Sequence, residues 1–227
     1  MPTTIIAYHG WGFNRACWQP WKDLFAQQGE DLLMSDRGYF ISSSLPITSL
    51  TTDHRTVVLA HSYGLHLCPV EQLQRADLLI LFSSFLSFHP QLQSKRRRSH
   101  SMLSQMMTQF EANPQSVLET FKTKCYHPVL WERSADFSKA LNSELLLHDL
   151  KDLDICSSDI SLLKKIPKVL ILHGVQDRIV SVEKGRELFE HLPDNSQYIE
   201  IEQAGHGLPF THTDACWSWI CQRLGAE

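Results

Sequence analysis

The 227-residue chain has no apolar run approaching the roughly 18 residues that span a bilayer, so a transmembrane helix is not expected. A basic, then apolar, leader is also missing at the N-terminus, where Thr3–Tyr8 already reads as a strand. The six cysteines, Cys17, Cys68, Cys125, Cys156, Cys216 and Cys221, include no C-x-x-C pair. Zinc sites use close ligand pairs and disulfide scaffolds are short and cysteine-dense, so the spacing supports neither. Most of these thiols are expected to pack as small hydrophobes in a cytoplasmic protein. A strong charge of one sign is lacking too: the net charge is −4, which gives no global attraction for nucleic acid or anionic lipid. No internal repeat or low-complexity linker divides the chain. At 43% hydrophobic and 20% charged it is ordinary globular material, enough for one generous domain or a domain with an insertion.

What is present is an alternation of short apolar runs with longer helical stretches. Strands are expected at Thr3–Tyr8, Asp31–Ser35, Thr56–His61, Asp77–Phe82, Lys168–His173 and Gln197–Ile201. Their apolarity is continuous rather than alternating, as in a parallel sheet covered on both faces. Helices are expected at Ala16–Gln28, Gly64–Gln74, Val182–His191 and Thr213–Arg223, with Gly29 stopping the first. This pattern predicts an α/β doubly wound sheet. Between Leu86 and Ile166 the rhythm fails: Met102–Glu111, Pro114–Cys125 and Phe137–Asp149 read as helices and no strand is evident. Some eighty residues exceed a plain crossover. The reading is a core of residues 1–85 and 167–227 with a helical lid inserted over 86–166; a second packed helical layer is the alternative.

Ala60-His61-Ser62-Tyr63-Gly64 follows the strand ending at His61 and precedes a helical stretch. That is the setting of a nucleophile elbow, in which a sharp turn exposes a serine hydroxyl and crowds the positions two residues either side. A serine needs a base, and the base an orienting acid, in the chain order Ser, Asp, His for this architecture. Asp177 stands just past the strand ending at His173, and His206 just past the strand ending at Ile201, between Gly205 and Gly207. Singly, each is as readily a turn former or a solvated side chain. Three strand ends in the right order together point to a serine hydrolase, with Asp154 and Asp159 as rival acids. His9-Gly10-Trp11-Gly12 follows the first strand, where main-chain N–H groups of Trp11 and Tyr63 would form an oxyanion hole. The chemistry calls for no cofactor and no metal.

His9-Gly10-Trp11-Gly12-Phe13-Asn14, followed by Trp18, resembles the oxyanion segment of the pimeloyl-[acyl-carrier-protein] methyl ester esterases, α/β-hydrolases that serve biotin synthesis. Ala204-Gly205-His206-Gly207-Leu208-Pro209-Phe210, with His212, is similar to that family's catalytic-histidine segment. The resemblance covers roughly residues 4–85 and 166–222. It departs at the elbow, which reads AHSYGLH where the family tends toward GWSxGG, and at the start, where the usual N-terminal hairpin is absent. It implies the α/β-hydrolase fold, carboxylesterase activity and a carrier-protein-linked ester substrate. A same-fold lyase or C–C hydrolase of the menaquinone-pathway type, and a catalytically inactive hydrolase-like binding protein, remain alternatives.

Lys95-Arg96-Arg97-Arg98 is the densest charge run. Residues 86–133 balance to +4 and the remainder of the chain to −8, an asymmetry suited to docking an acidic macromolecule. The resemblance implies acyl carrier protein as that partner; a solvated helix start with no partner is the plainer reading. Trp11, Phe13, Trp18, Phe85, Phe88, Met102, Met106, Phe110 and Phe121 are candidates for an apolar acyl channel, with Trp11, Phe88 and Phe121 foremost. Asp36, Arg37 and Tyr39 read as structural, and a monomer is expected.

Overall fold

The computed structural model describes residues 2–40, 54–130 and 140–225. Residues 137–139 of the expected helix Phe137–Asp149, and the charges Glu132 and Arg133, lie outside these. Six strands form one sheet: β1 (Thr3–Tyr8), β2 (Leu32–Met34), β3 (Arg55–His61), β4 (Leu78–Phe82), β5 (Lys168–Gly174) and β6 (Gln197–Ile201). Their order is β2-β1-β3-β4-β5-β6 and every neighbouring pair is parallel. The chain runs outward from β1 to β2 and then returns to β3 on the other side. The strand order therefore reverses between β1 and β3, and the carboxyl ends of those two strands open the crevice where such sheets bind ligands.

Alternate strand residues feed two separate cores, which explains the continuous apolar runs. Ile5, Ala7, Val57, Leu59, Ile80 and Leu172 pack on one face under α1 (Gln19–Gln27) and α10 (Thr213–Gly225). Ile6, Val58, Ala60, Leu79, Leu81 and Ile171 pack on the other, with α2 (Gly64–Leu67), α3 (Val70–Gln74) and α8 (Val182–Glu190). Each buried aliphatic side chain contributes about 1.5–3 kcal/mol. Exposed ion pairs contribute little, so these two faces hold the fold together.

Four expected helices differ in detail: the one expected at Phe137–Asp149 is helical, among the described residues, only from Ser143 and runs on to Ile155, and three others change as follows. Arg15–Trp18 forms a 3-10 turn before α1, capped by the Asn14 side chain on the Ala16 N–H, and Gly29 follows α1 at φ +78° as a left-handed stop. The single expected helix Gly64–Gln74 is two, because Pro69 forces Cys68 into an extended conformation. Beyond β4, α4 (Gln93–Ala112) starts well before Met102 and carries the whole basic run in its first two turns. It is followed by α5 (Pro114–Tyr126), α6 (Ser143–Ile155) and the short α7 (Ile160–Leu163). Helices α4, α5 and α6 share a third core with Trp11, Phe13, Tyr63 and Phe85, which come from the loops at the carboxyl ends of β1, β3 and β4. The helical segment thus sits over the crevice end of the sheet. α9 (Leu208–Thr211) follows the His206 loop.

Candidate active site

Ser62 lies between β3 and α2 with φ +55°, a left-handed conformation unusual for a residue with a side chain. Close packing holds it there. A Cβ on Gly64 would come 2.4 Å from the Tyr8 carbonyl oxygen, and one on Gly10 would come 3.0 Å from Ser62 Cβ. Gly64 must therefore be glycine for the turn to nest against β1, and a side chain at Gly10 would require its neighbours to give way. The Ser62 N–H donates to the Phe82 carbonyl (2.8 Å), and the Ser84 hydroxyl donates to the Ser62 carbonyl (3.1 Å). Ser84 was not foreseen; its only signal is a polar residue two positions past a buried strand.

His206 and Asp177 are brought together from different strand ends. His206 Nδ1 is 2.8 Å from Asp177 Oδ2, and both side chains are fully buried. The other carboxylate oxygen accepts the N–H groups of Ile179 and Val180, each at 2.8 Å. Burial alone would push this carboxyl up. The charge interaction with His206, with the nearby His173 and the hydrogen bond from His206, overcomes it and holds Asp177 well below the usual carboxylate range. An ionised Asp177 can only accept, so the His206 proton facing it is on Nδ1, and in the neutral imidazole the lone pair is then on Nε2. Nε2 has no hydrogen-bond partner among the described residues. Glycines make this approach possible: a Cβ on Gly174 would come 2.4 Å from the Gly205 carbonyl oxygen, and Gly207 N–H donates to the Cys125 carbonyl at 2.7 Å.

Two further histidines buttress the pair. His61 Nε2 donates to the His206 carbonyl (2.9 Å), and its burial, then the neighbouring His206, pushes its pKa well down, so it is neutral. His173 Nε2 donates to the Val180 carbonyl (3.0 Å) and lies 3.4 Å from Asp177 Oδ2. Nothing in the spacing of His173 separates it from any strand residue.

Ser62 opens into a cavity of about 790 Å³ whose wall includes Trp11 and Tyr63, the residues with the expected oxyanion N–H groups. Trp11 is fixed by its indole N–H, which donates to the Leu146 carbonyl of α6 (2.8 Å), and by edge-to-face packing on Phe121, 4.8 Å between centroids. Phe85, Phe88, Met102, Met106 and Phe121 line the cavity. Three candidates do not. Trp18 is buried in the sheet core, Phe110 packs behind Trp11, and Phe13 lies between His61 and Phe210 with the Lys122 ammonium over its ring. Asp177 and His206 are not part of the wall.

Of the basic run, Lys95 and Arg98 line the cavity while Arg96 and Arg97 are exposed on the same turns of α4. Lys124 and Arg178, which the sequence did not single out, join them, and among the described residues no Asp or Glu lines the cavity. The rival acids are engaged elsewhere: Asp159 caps α7 through the Ser161 N–H, and Asp154 binds His89 and His100. Asp36, Arg37 and Tyr39 are structural as expected. Arg37 forms two hydrogen bonds (2.8 and 2.7 Å) to the buried Asp149 of α6, Tyr39 donates a third, and Asp36 accepts from the Gly38 N–H. Among the described residues no helix is long and apolar enough to cross a membrane.

No family model matches the sequence. Among solved structures, the chain is similar to a bromoperoxidase from Bacillus anthracis, with 16% identity, TM-score 0.79, and coverage of 99% of this chain and 92% of that one. It is similar to an esterase from Exiguobacterium antarcticum at 15% identity and TM-score 0.67, covering 97% and 91%. A 2-hydroxy-6-oxo-6-phenylhexa-2,4-dienoate hydrolase from Rhodococcus matches at 18% identity and TM-score 0.69, covering 99% and 91%. Their names denote different activities, so the likeness carries architecture and not chemistry. With its parallel six-stranded sheet and its helices at the crevice end, this chain has the α/β-hydrolase fold.

Proposed function

We propose that the protein is a serine carboxylesterase acting through an acyl-enzyme. Ser62 Oγ attacks the ester carbonyl; His206 Nε2 takes its proton and returns it to the leaving alcohol; Asp177 holds the imidazole with Nδ1 protonated. The main-chain N–H groups of Trp11 and Tyr63 bind the oxyanion, and water then releases the acid by the same steps in reverse roles. The observation that carries this reading is the buried 2.8 Å His206–Asp177 pair with Nε2 unpartnered, at the same end of the sheet as a left-handed Ser62. The reaction needs no metal and no cofactor.

The narrower reading is an esterase acting on a methyl ester of a pimeloyl-type chain carried by acyl carrier protein. Three features favour it: the resemblance around His9–Asn14 and Ala204–Phe210, an apolar cavity wall of Trp11, Phe88 and Phe121, and the exposed Lys95–Arg98 run beside the cavity. Lys95, Arg98, Lys124 and Arg178 on the cavity wall, where no acid is found among the described residues, suit an anionic substrate or carrier. The helices from α4 to α7, over 86–166, act in this reading as the lid, and the protein works as a cytoplasmic monomer. The test is turnover of p-nitrophenyl butyrate and of a carrier-linked methyl pimelate ester. Turnover of the first establishes the esterase. Preference for the second by an order of magnitude or more in kcat/KM establishes the substrate, and equal or lower turnover of it sets that substrate aside. A fold shared with a dienoate hydrolase keeps C–C cleavage as a second reading; turnover of neither ester favours it or a binding protein.

A further inference from the structure

We propose that His89, His100 and Asp154 form a binding site for a divalent cation of the zinc class. His89 lies in the connection between β4 and α4, His100 in the second turn of α4, and Asp154 in the last turn of α6. His89 Nε2 is 3.0 Å and His100 Nδ1 2.9 Å from the same oxygen, Asp154 Oδ1, and all three atoms lie within 4.8 Å of one another. The imidazoles stack with centroids 3.6 Å apart, so both present a ring nitrogen to one point. A cation bonded at about 2.1 Å to each ligand needs ligand atoms about 3.0–3.4 Å apart for angles between square and tetrahedral. The His–Asp separations already match, and binding requires the exchange of ring protons for the metal rather than rearrangement of the backbone.

The surroundings suit that exchange. His89 Nδ1 is 2.8 Å from the Ser99 hydroxyl, which can accept the Nδ1 proton once Nε2 gives its own up to a metal, the outer-shell contact that metal-binding histidines usually have. His100 and Asp154 are partly exposed, which provides an entry path and room for water as a further ligand. Two imidazoles and one carboxylate are a donor set for zinc and its first-row neighbours rather than for magnesium or calcium. The other such group among the described residues, His148, Asp149 and Asp152, is weaker, because Asp149 is committed to Arg37 and Tyr39.

A cation here joins three segments that are distant in sequence and braces the first turns of α4, which carry Lys95 and Arg98 on the cavity wall. It takes no part in the ester chemistry proposed for Ser62, so the two stand or fall separately. The test is titration of the chelator-treated full-length protein with Zn2+ by calorimetry, with melting followed in parallel, for wild type, His100→Ala and Asp154→Asn. Wild type is expected to bind one equivalent and melt higher with zinc. Each variant should bind it at least roughly 10-fold more weakly, since even outer-shell changes cost that much. Cobalt(II) added to the wild type should give visible ligand-field bands that His100→Ala lacks. Equal zinc affinity in wild type and His100→Ala, or a wild type that binds neither metal, overturns the site and leaves a hydrogen-bonded clamp.

Discussion

His206 Nδ1 and Asp177 Oδ2 meet at 2.8 Å inside the protein although 29 residues and a helix separate them in the chain. The pairing depends on two tight loop contacts. Gln176 N–H donates to the Ala204 carbonyl at 2.8 Å, and Gly174 leaves room for the Gly205 backbone. The acid and the base are thus held by main chain as well as by their own hydrogen bond.

Replacing Asp177 by Asn should leave KM nearly unchanged and lower kcat by about 10⁴-fold, because the amide favours the wrong imidazole tautomer. Steady-state kinetics on p-nitrophenyl butyrate measures this. A nearly silent Asp177→Asn would remove Asp177 from the triad.

The elbow makes a prediction about Gly64. Its absent Cβ would sit 2.4 Å from Tyr8 O and 2.9 Å from Tyr8 C, both main-chain atoms of β1. Gly64→Ala should therefore destabilise the protein by about 1–3 kcal/mol and displace Ser62, with a matching loss of activity. Gly29→Ala is the control: its Cβ meets nothing within 4 Å and only the left-handed φ opposes it, so activity should survive. Urea unfolding and the ester assay on both variants separate the two effects.

Much of this was readable beforehand, for identifiable reasons. The strands appear as continuous apolar runs because both sheet faces are covered, and Ser62, Asp177 and His206 each follow such a run. Sequence cannot show what only the fold brings together. His89 and Asp154 are 65 residues apart, and Arg37 and Asp149 are 112 apart, with no local pattern linking them. Lys124 and Arg178 reach the cavity wall from α5 and from the loop after β5, where neither stands out as a charge run. The helix break at Pro69 was legible from its ring and was missed because the apolar pattern continues across it.

Stability should depend on pH through His66. Burial pushes its pKa from 6.5 down to about 4, against a hydrogen bond to the Phe85 carbonyl. The unfolded chain takes up this proton near pH 6.5 and the folded protein only near pH 4. The contribution of neutral His66 is therefore full above pH 6.5 and is lost as pH falls toward 4, by up to about 3 kcal/mol. His66→Gln keeps a donor for Phe85 and should flatten the stability profile across this window. An unchanged slope of unfolding free energy against pH would contradict it.

If the basic first turns of α4 receive an acidic carrier, reversing Arg96, Arg97 and Arg98 to Glu should reduce kcat/KM for the carrier-linked ester and most of its salt dependence. Hydrolysis of p-nitrophenyl butyrate should change little. Loss of both activities would point to a damaged helix, and loss of neither would remove carrier docking.

The central claim, that Ser62 is a nucleophile activated by His206 and Asp177, is tested most directly by covalent trapping. The protein is treated with a fluorophosphonate and the modified peptide is located by mass spectrometry. The account predicts one adduct per chain, on Ser62, absent from Ser62→Ala and strongly slowed in His206→Ala. A wild type that stays unlabelled, or an adduct on any residue other than Ser62, would contradict it.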